Sequence, residues 1–283
     1  MNINDNPIFK KNTNFDDSIA FDRIESKHFL PAIEGSIKMA KILIEDIELS
    51  SDVPTFKNTI LALENASEYL DKAASAYYHL FSSEAGKEIE DLSQKISPML
   101  ADFSNDIYLN ESIFDKISEI ENNCSHNTKE ERRLIKVYYR RFVRNGANLD
   151  ISDKEKLREI DTKLSALSPQ FSSNVRKATN NFELWIENKN DLKGLPQMAI
   201  DAASEAALSK GESKKWLFTL QFPSMLPIMK FLDNRELRMK MSNAFSQKCL
   251  NDDFDNSDLI KEIVKLRHKR AMLLGYKNYA SYI

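Results

Sequence analysis

Apolar residues recur along this chain at intervals of three and four, the period of an α-helix that turns one face to a core. Ile60, Leu63, Leu70, Ala74, Tyr77 and Phe81 make one such stripe. Ile89, Leu92, Ile96, Met99, Phe103 and Ile107 make a second, in which Pro98 is expected to introduce a kink. Leu157, Ile160, Leu164, Leu167, Phe171 and Val175 make a third, interrupted by Pro169. Helix starts are marked as well: Thr128 precedes Glu131, and Ser152 precedes Glu155, by the three-residue spacing of a capping box. The "GLP" at 194–196 sets Pro196 at a first helical position, and Gly211 suits the end of that helix. The pattern predicts a mainly α-helical chain.

Two segments break the helical period. "FELWIEN" (182–188) alternates Phe182, Leu184 and Ile186 with Glu183, Trp185 and Glu187, and "KWLFTLQF" (215–222) is rich in aromatic and β-branched residues. They pair as a small two-stranded sheet across a helical crossover, or else form a partly extended linker. At the far end, Gly275 is a stop for the helix carrying Leu266, Leu273 and Leu274, and Asn278 caps a new turn bearing Tyr279, Tyr282 and Ile283. On that last long helix, Leu259, Ile263, Leu266 and Leu273 form one apolar row and Ile260, Val264, Ala271 and Leu274 another. Two rows exceed what one buried face needs, so the helix is expected to pack on two sides. One turn alone carries the nucleation cost of a helix with little of its propagation gain, so residues 278–283 are expected to fray unless a neighbouring molecule orders them. No fixed-period repeat is present, which disfavours a solenoid.

Composition narrows the class. Across 283 residues the formal net charge is −3, which gives no general pull toward nucleic acid or anionic lipid. The first residues, "MNINDNPIFKKN", hold no apolar run that would serve as a signal peptide or anchor, and no stretch approaches the roughly 20 apolar residues of a spanning helix. Two cysteines, Cys124 and Cys249, are too few for a disulfide framework, and a cytoplasmic location is expected.

Candidate chemistry is sparse. The histidines are His28, His79, His126 and His268; none begins H-E-x-x-H, and none is spaced from another as zinc ligands are. Cys124 and His126 share a polar loop without a second ligand pair, so an ordinary loop thiol and imidazole outweigh a metal site there. Walker, G-x-G-x-x-G and G-x-S-x-G patterns are absent. Acidic pairs such as Glu130-Glu131 and Asp252-Asp253 read as helix starts and turns. The sharpest alternative is "ERRLIKVYYRRFVRNG" (131–146), where Arg133, Lys136, Arg140 and Arg144 share a face with Tyr138, Tyr139 and Phe142 interleaved. Such a stripe could track phosphates while the rings stack bases. Its rival is a solvated basic face over an apolar one of Leu134, Val137, Tyr138 and Phe142. The rival is favoured, because acidic residues open the same helix.

A series of motifs carries more. "FDRIESKHFLPAIE" (21–34), "PTFKNTILALE" (54–64), "SNDIYLNESIFDKI" (104–117), "RRFVRNGANL" (140–149), "GLP" (194–196), "NRELRMKM" (234–241) and "LRHKRAMLLGYKNYASY" (266–282) follow one another across essentially the whole chain. In order and spacing they resemble the N-terminal part of the thimet oligopeptidase and peptidyl-dipeptidase family of zinc metallopeptidases. "NDIYLNESIF" and "KGESKKWLFTL" look most like the bacterial peptidyl-dipeptidases.

The resemblance implies a neurolysin-like, multi-helix fold, with 1–150 an N-terminal helical region and 151–283 a second helical region leading into a catalytic domain outside this chain. It implies an intact enzyme that removes C-terminal dipeptides from short peptides, with zinc held by two His of H-E-x-x-H and a later Glu. None of those residues falls on a position here. No catalytic or metal-binding residue is therefore assigned, the substrate-contacting residues stay open, and this chain alone is expected to hold no cofactor and to be inactive. Its expected part is a wall of the substrate channel. Expected partners are peptide substrates, the missing catalytic half and a second copy through the bare side of the last helix, but neither nucleic acid nor membrane. The competing reading is a stand-alone helical interaction module without activity.

Overall fold

The computed structural model describes residues 5–10, 18–83 and 86–283. Helix follows helix: α1 (Phe29–Leu49), a π-turn at Phe56–Ile60, α2 (Leu61–Ala66), α3 (Glu68–Ser83), α4 (Lys87–Tyr108), α5 (Glu111–Asn122), α6 (Lys129–Arg144) and α7 (Ile151–Asn181). Then come β1 (Glu183–Ile186), α8 (Gln197–Ser209), β2 (Trp216–Thr219), α9 (Phe222–Phe231), α10 (Arg235–Gln247), α11 (Ser257–Leu273) and the single turn α12 (Tyr279–Tyr282). The chain is mainly helical with one small sheet, as its periodicity requires. It forms two compact units: residues 1–169 with 265–283, and residues 170–264.

The first unit is built on α1, whose Phe29, Ile33, Ile37, Ala40, Ile44 and Ile47 recur at helical spacing and are all buried. Packed on it are the stripes of α2, α3, α4 and α5, so Tyr77, Ile96, Ile113 and Ile117 share one core with Phe29 and Ile33. The stripe from Ile60 to Phe81 is not one helix. A π-turn capped by Thr55 and Asn58 opens it, and the chain breaks at Ser67 between α2 and α3. Neither Pro98 nor Pro169 ends its helix; α4 and α7 each continue beyond it.

The capping box at α6 forms in full: Thr128 Oγ1 accepts from the Glu131 N–H at 3.2 Å, and Glu131 accepts from the Thr128 N–H at 2.9 Å. Hydrogen bonds from the Thr128 N–H and from Asn127 hold the Glu131 carboxyl below its ordinary pKa. The cap is therefore complete at neutral pH and loosens as acid protonates that carboxyl. Thr128→Ala is expected to cost about 1 kcal/mol in a denaturation series; no measurable loss would mean that other groups satisfy this helix end. The second anticipated box, Ser152 with Glu155, does not form. Asp150 caps α7 instead, accepting from the Asp153 N–H at 2.8 Å, and Ser152 lies inside the first turn. Past α6, Gly146 adopts φ +98, and a Cβ there would come within 2.5 Å of the Leu157 side chain.

In the second unit β1 and β2 are antiparallel, with Glu183 opposite Thr219 and Ile186 opposite Trp216. Leu184 and Ile186 turn inward with Phe218, over a core completed by Ala203, Ile228, Leu232 and Met241. Strand order survives the α8 crossover, and the linker alternative falls away. Pro196 sits one position before α8, with β-region ψ, rather than inside it. Gly194 has φ +95 and runs so close to the Phe231 carbonyl that a Cβ would stand 2.1 Å from its oxygen. Only glycine fits there.

Candidate functional site

Three of the four histidines make local contacts. His28 is buried, and its Nδ1 accepts from the Glu25 N–H at 2.9 Å, tying the turn before α1. His79 lies against the Phe21 ring and His126 beside the Ser125 hydroxyl, while His268 is exposed on α11. No cluster of three His, Cys, Asp or Glu side chains suited to a metal ion occurs among the described residues. Asp252 and Asp255 shape the loop before α11, accepting backbone N–H bonds from Cys249, Phe254, Asn251 and Ser257. Those bonds support positive φ at Cys249 and Asn251.

The basic helix divides differently from its sequence pattern. Its buried face is Ile135, Tyr138 and Phe142, while Leu134 and Val137 are only half-buried. Arg133, Lys136 and Arg140 are exposed. The rings interleaved with them point inward: the Tyr138 hydroxyl donates to Glu64, and Tyr139 stacks on Phe114 at 5.6 Å. Burial, and then the Glu64 carboxylate, push the Tyr138 pKa up. No aromatic of the stripe is left facing out to stack on a base.

Arg144, the fourth member of that stripe, leaves it. Its guanidinium donates to the Tyr282 carbonyl and stands 4.7 Å from that ring's centre. Arg270 covers Tyr282 from α11 at 5.1 Å and donates to Asp161 at 2.6 Å and to Asn145 at 3.0 Å. Both side chains of the Arg270–Asp161 pair are mostly buried, at 12% and 18% exposure. Burial opposes the charge on Arg270, but the hydrogen bond and charge of Asp161 outweigh it and raise its pKa. Gly275 ends α11 at φ +80, and Asn278 caps α12 by accepting from the Ser281 N–H at 2.9 Å. The expected fraying of 278–283 therefore meets a correction: two arginines and the Tyr276 ring, 5.2 Å from Tyr282, hold that turn.

Among the grooves on the first unit, two stand out. One, of about 780 Å3, is polar and runs between the ends of α1 and α5, lined by Glu48, Asp52, Glu111, Asp115, Lys116 and Glu119. Several of its groups are bonded: Asn110 donates to Glu48, Lys116 to the Ser50 carbonyl, and Lys154, from outside the groove, to Glu111. The other, of about 650 Å3, lies between α7 and α11. Ile160, Leu266 and Leu273 form its floor, and Lys156, Glu159, Lys163, His268 and Lys269 its rim. Its two walls lie more than a hundred residues apart, so no local sequence signal announces it. The only hint is that Lys156, Ile160 and Lys163 fall on one helical face.

Residues 228–283 match Peptidase family M3. Along nearly all of its length the chain is similar to larger proteins. It is 31% identical over 265 residues to a dipeptidyl carboxypeptidase of Escherichia coli (strain K12), covering 93% of this chain and 39% of that protein. It is 32% identical over 266 residues to an oligopeptidase A of Haemophilus influenzae, covering 92% and 39%. With a probable cytosolic oligopeptidase A of Arabidopsis thaliana it shares 29% over 286 residues, 98% of this chain and 40% of the relative. The chain thus spans about two fifths of the length of the relatives it matches.

Proposed function

The chain is a relative of the family M3 peptidases, and from that premise we propose that it is the non-catalytic N-terminal region of a zinc metallopeptidase acting on short peptides. The observation that carries this reading is the match to a dipeptidyl carboxypeptidase over 93% of the chain, at 31% identity. In it the bond chemistry belongs to residues outside the chain, in keeping with the lack of a metal-binding cluster among the described residues. The chain then forms one wall of a substrate channel, narrow enough to exclude folded proteins and to admit flexible peptides. Release of C-terminal dipeptides is the finer form of the reading. Its partners are peptide substrates and the catalytic half of the same enzyme. Ile260 and Val264 on α11 are exposed at 46% and 60%, and they offer an apolar side for that half or for a second copy. A cytoplasmic setting completes the reading, supported by the relative named cytosolic; among the described residues no helix is long and apolar enough to cross a membrane.

The test pairs metal analysis with product identification. The isolated 283-residue chain is expected to retain no stoichiometric zinc and to cleave no fluorogenic peptide. A longer protein that joins it to the catalytic region is expected to release dipeptides from free C-termini, and chelator should abolish this. Chelator-sensitive hydrolysis by the isolated chain would falsify the non-catalytic assignment. Failure of the longer protein to cleave any peptide would overturn the peptidase reading itself.

A further inference from the structure

The groove between α7 and α11 combines an apolar floor with a rim in which lysines outnumber carboxylates. Lys156 is paired with Asp153 at 2.7 Å, but among the described residues Lys163 and Lys269 have neither an ion pair nor a hydrogen-bond partner. Glu159 is the one rim carboxylate likewise without a partner. Lys156, Lys163 and Lys269 against Asp153 and Glu159 leave the lysines and carboxylates of the rim with a surplus of one positive charge, the complement of one carboxylate. The floor of Ile160, Leu266 and Leu273 asks for an apolar group beside that carboxylate. At about 650 Å3 the space lies in the usual range for small ligands. It is also held open: Asp161 and Arg270, adjacent in sequence to Ile160 and Lys269, lock the two helices together through their buried ion pair.

We propose that this groove binds the C-terminal end of a short peptide, with its terminal carboxylate on Lys163 and Lys269 and an apolar side chain on the floor. The occupant is taken as a peptide because of the peptide-handling role proposed above, on which this inference rests. An alkyl carboxylate such as decanoate offers the same chemistry from a lipid source, so it serves as the rival ligand. An acidic helix of a partner protein would bring several charges to a rim that has one to spare.

The test measures binding to the 283-residue chain, separately from any activity. An N-terminally dye-labelled tetrapeptide ending in Phe with a free carboxylate is titrated by fluorescence anisotropy, beside the same peptide as its C-terminal amide. The free acid is expected to bind, and the amide to bind roughly tenfold more weakly, as for loss of one charge-assisted contact. Lys163→Glu with Lys269→Glu should weaken the free acid at least as much, while Lys277→Glu, an exposed change outside the groove, leaves it unaltered. Circular dichroism should be the same for all variants, since the exchanged lysines are exposed. Equal binding of acid and amide, no binding of either, or binding of decanoate without the peptide overturns the proposal. If the longer protein cleaves peptides while this binding is absent, only the groove assignment fails. If binding is present while no peptide is cleaved, only the enzymatic reading fails.

Discussion

Phe142→Ala is expected to remove about 3–5 kcal/mol from the stability of the first unit, the usual cost of truncating a large side chain in a packed core. Phe142 is fully buried on α6, edge-on to Tyr108 at 5.1 Å and stacked with Phe114 at 6.1 Å. Three helices meet at that ring, so no single side-chain shift can refill its volume. The protein offers its own probes. All nine tyrosines lie in the first unit, whereas Trp185 and Trp216 both lie on the strands of the second. Near-ultraviolet circular dichroism of tyrosine during urea denaturation therefore reads the unit that carries the substitution, and tryptophan emission reads the other. Arg140→Ala, on the exposed face of the same helix, is expected to stay within about ±0.5 kcal/mol. Comparable losses for both would mean that the exposed arginines do more than face water.

The second large effect concerns the pair that fastens α11 to α7. Removing Arg270 leaves the Asp161 carboxylate buried at 18% exposure without its partner, and Arg270→Met is expected to cost about 3–5 kcal/mol. Adding Asp161→Leu should recover most of that, because the penalty lies in the orphaned charge and not in the absence of the pair. The single substitution should also free the turn at 279–282, raising amide exchange there, since Tyr282 loses the guanidinium that covers it. If the double substitution is as unstable as the single one, the pair contributes attraction in its own right. If neither loses stability, the contact is not made in solution.

How much of this was legible beforehand depended on the range of each signal. The stripes over α3, α4 and α7 and the alternation in β1 could be read because a period of 3.6 or 2 repeats within a dozen residues. The Thr128–Glu131 cap was readable for the same reason. Ser152–Glu155 has the same spacing yet fails, because Asp150 stands two residues earlier and its carboxylate takes the Asp153 N–H, leaving Ser152 inside the first turn. On α6 the pattern favoured Leu134 and Val137, whereas packing buries Ile135; a three-residue window of mixed apolar residues does not fix which way a helix turns. On α11 one row lies inward at Ile263 and Leu266, but of the other only Ala271 is buried. The groove was out of reach, since Lys163 and Lys269 acquire a common surroundings only when Arg270 finds Asp161. The family resemblance rested on motifs spread over the whole length, and it depended on no single contact.

The way the first unit is assembled has a consequence for synthesis. Its last part, 265–283, returns only after residues 170–264 have been made. A ribosome adds about 5–20 residues per second, so a nascent first unit waits on the order of ten seconds before α11 and α12 arrive. During that interval Asp161 has no arginine, Arg144 has no tyrosine to cover, and the apolar side of α7 that meets Leu266 is open to solvent. Within this chain the first unit is therefore begun first, yet it is completed only after residues 170–264 have been made.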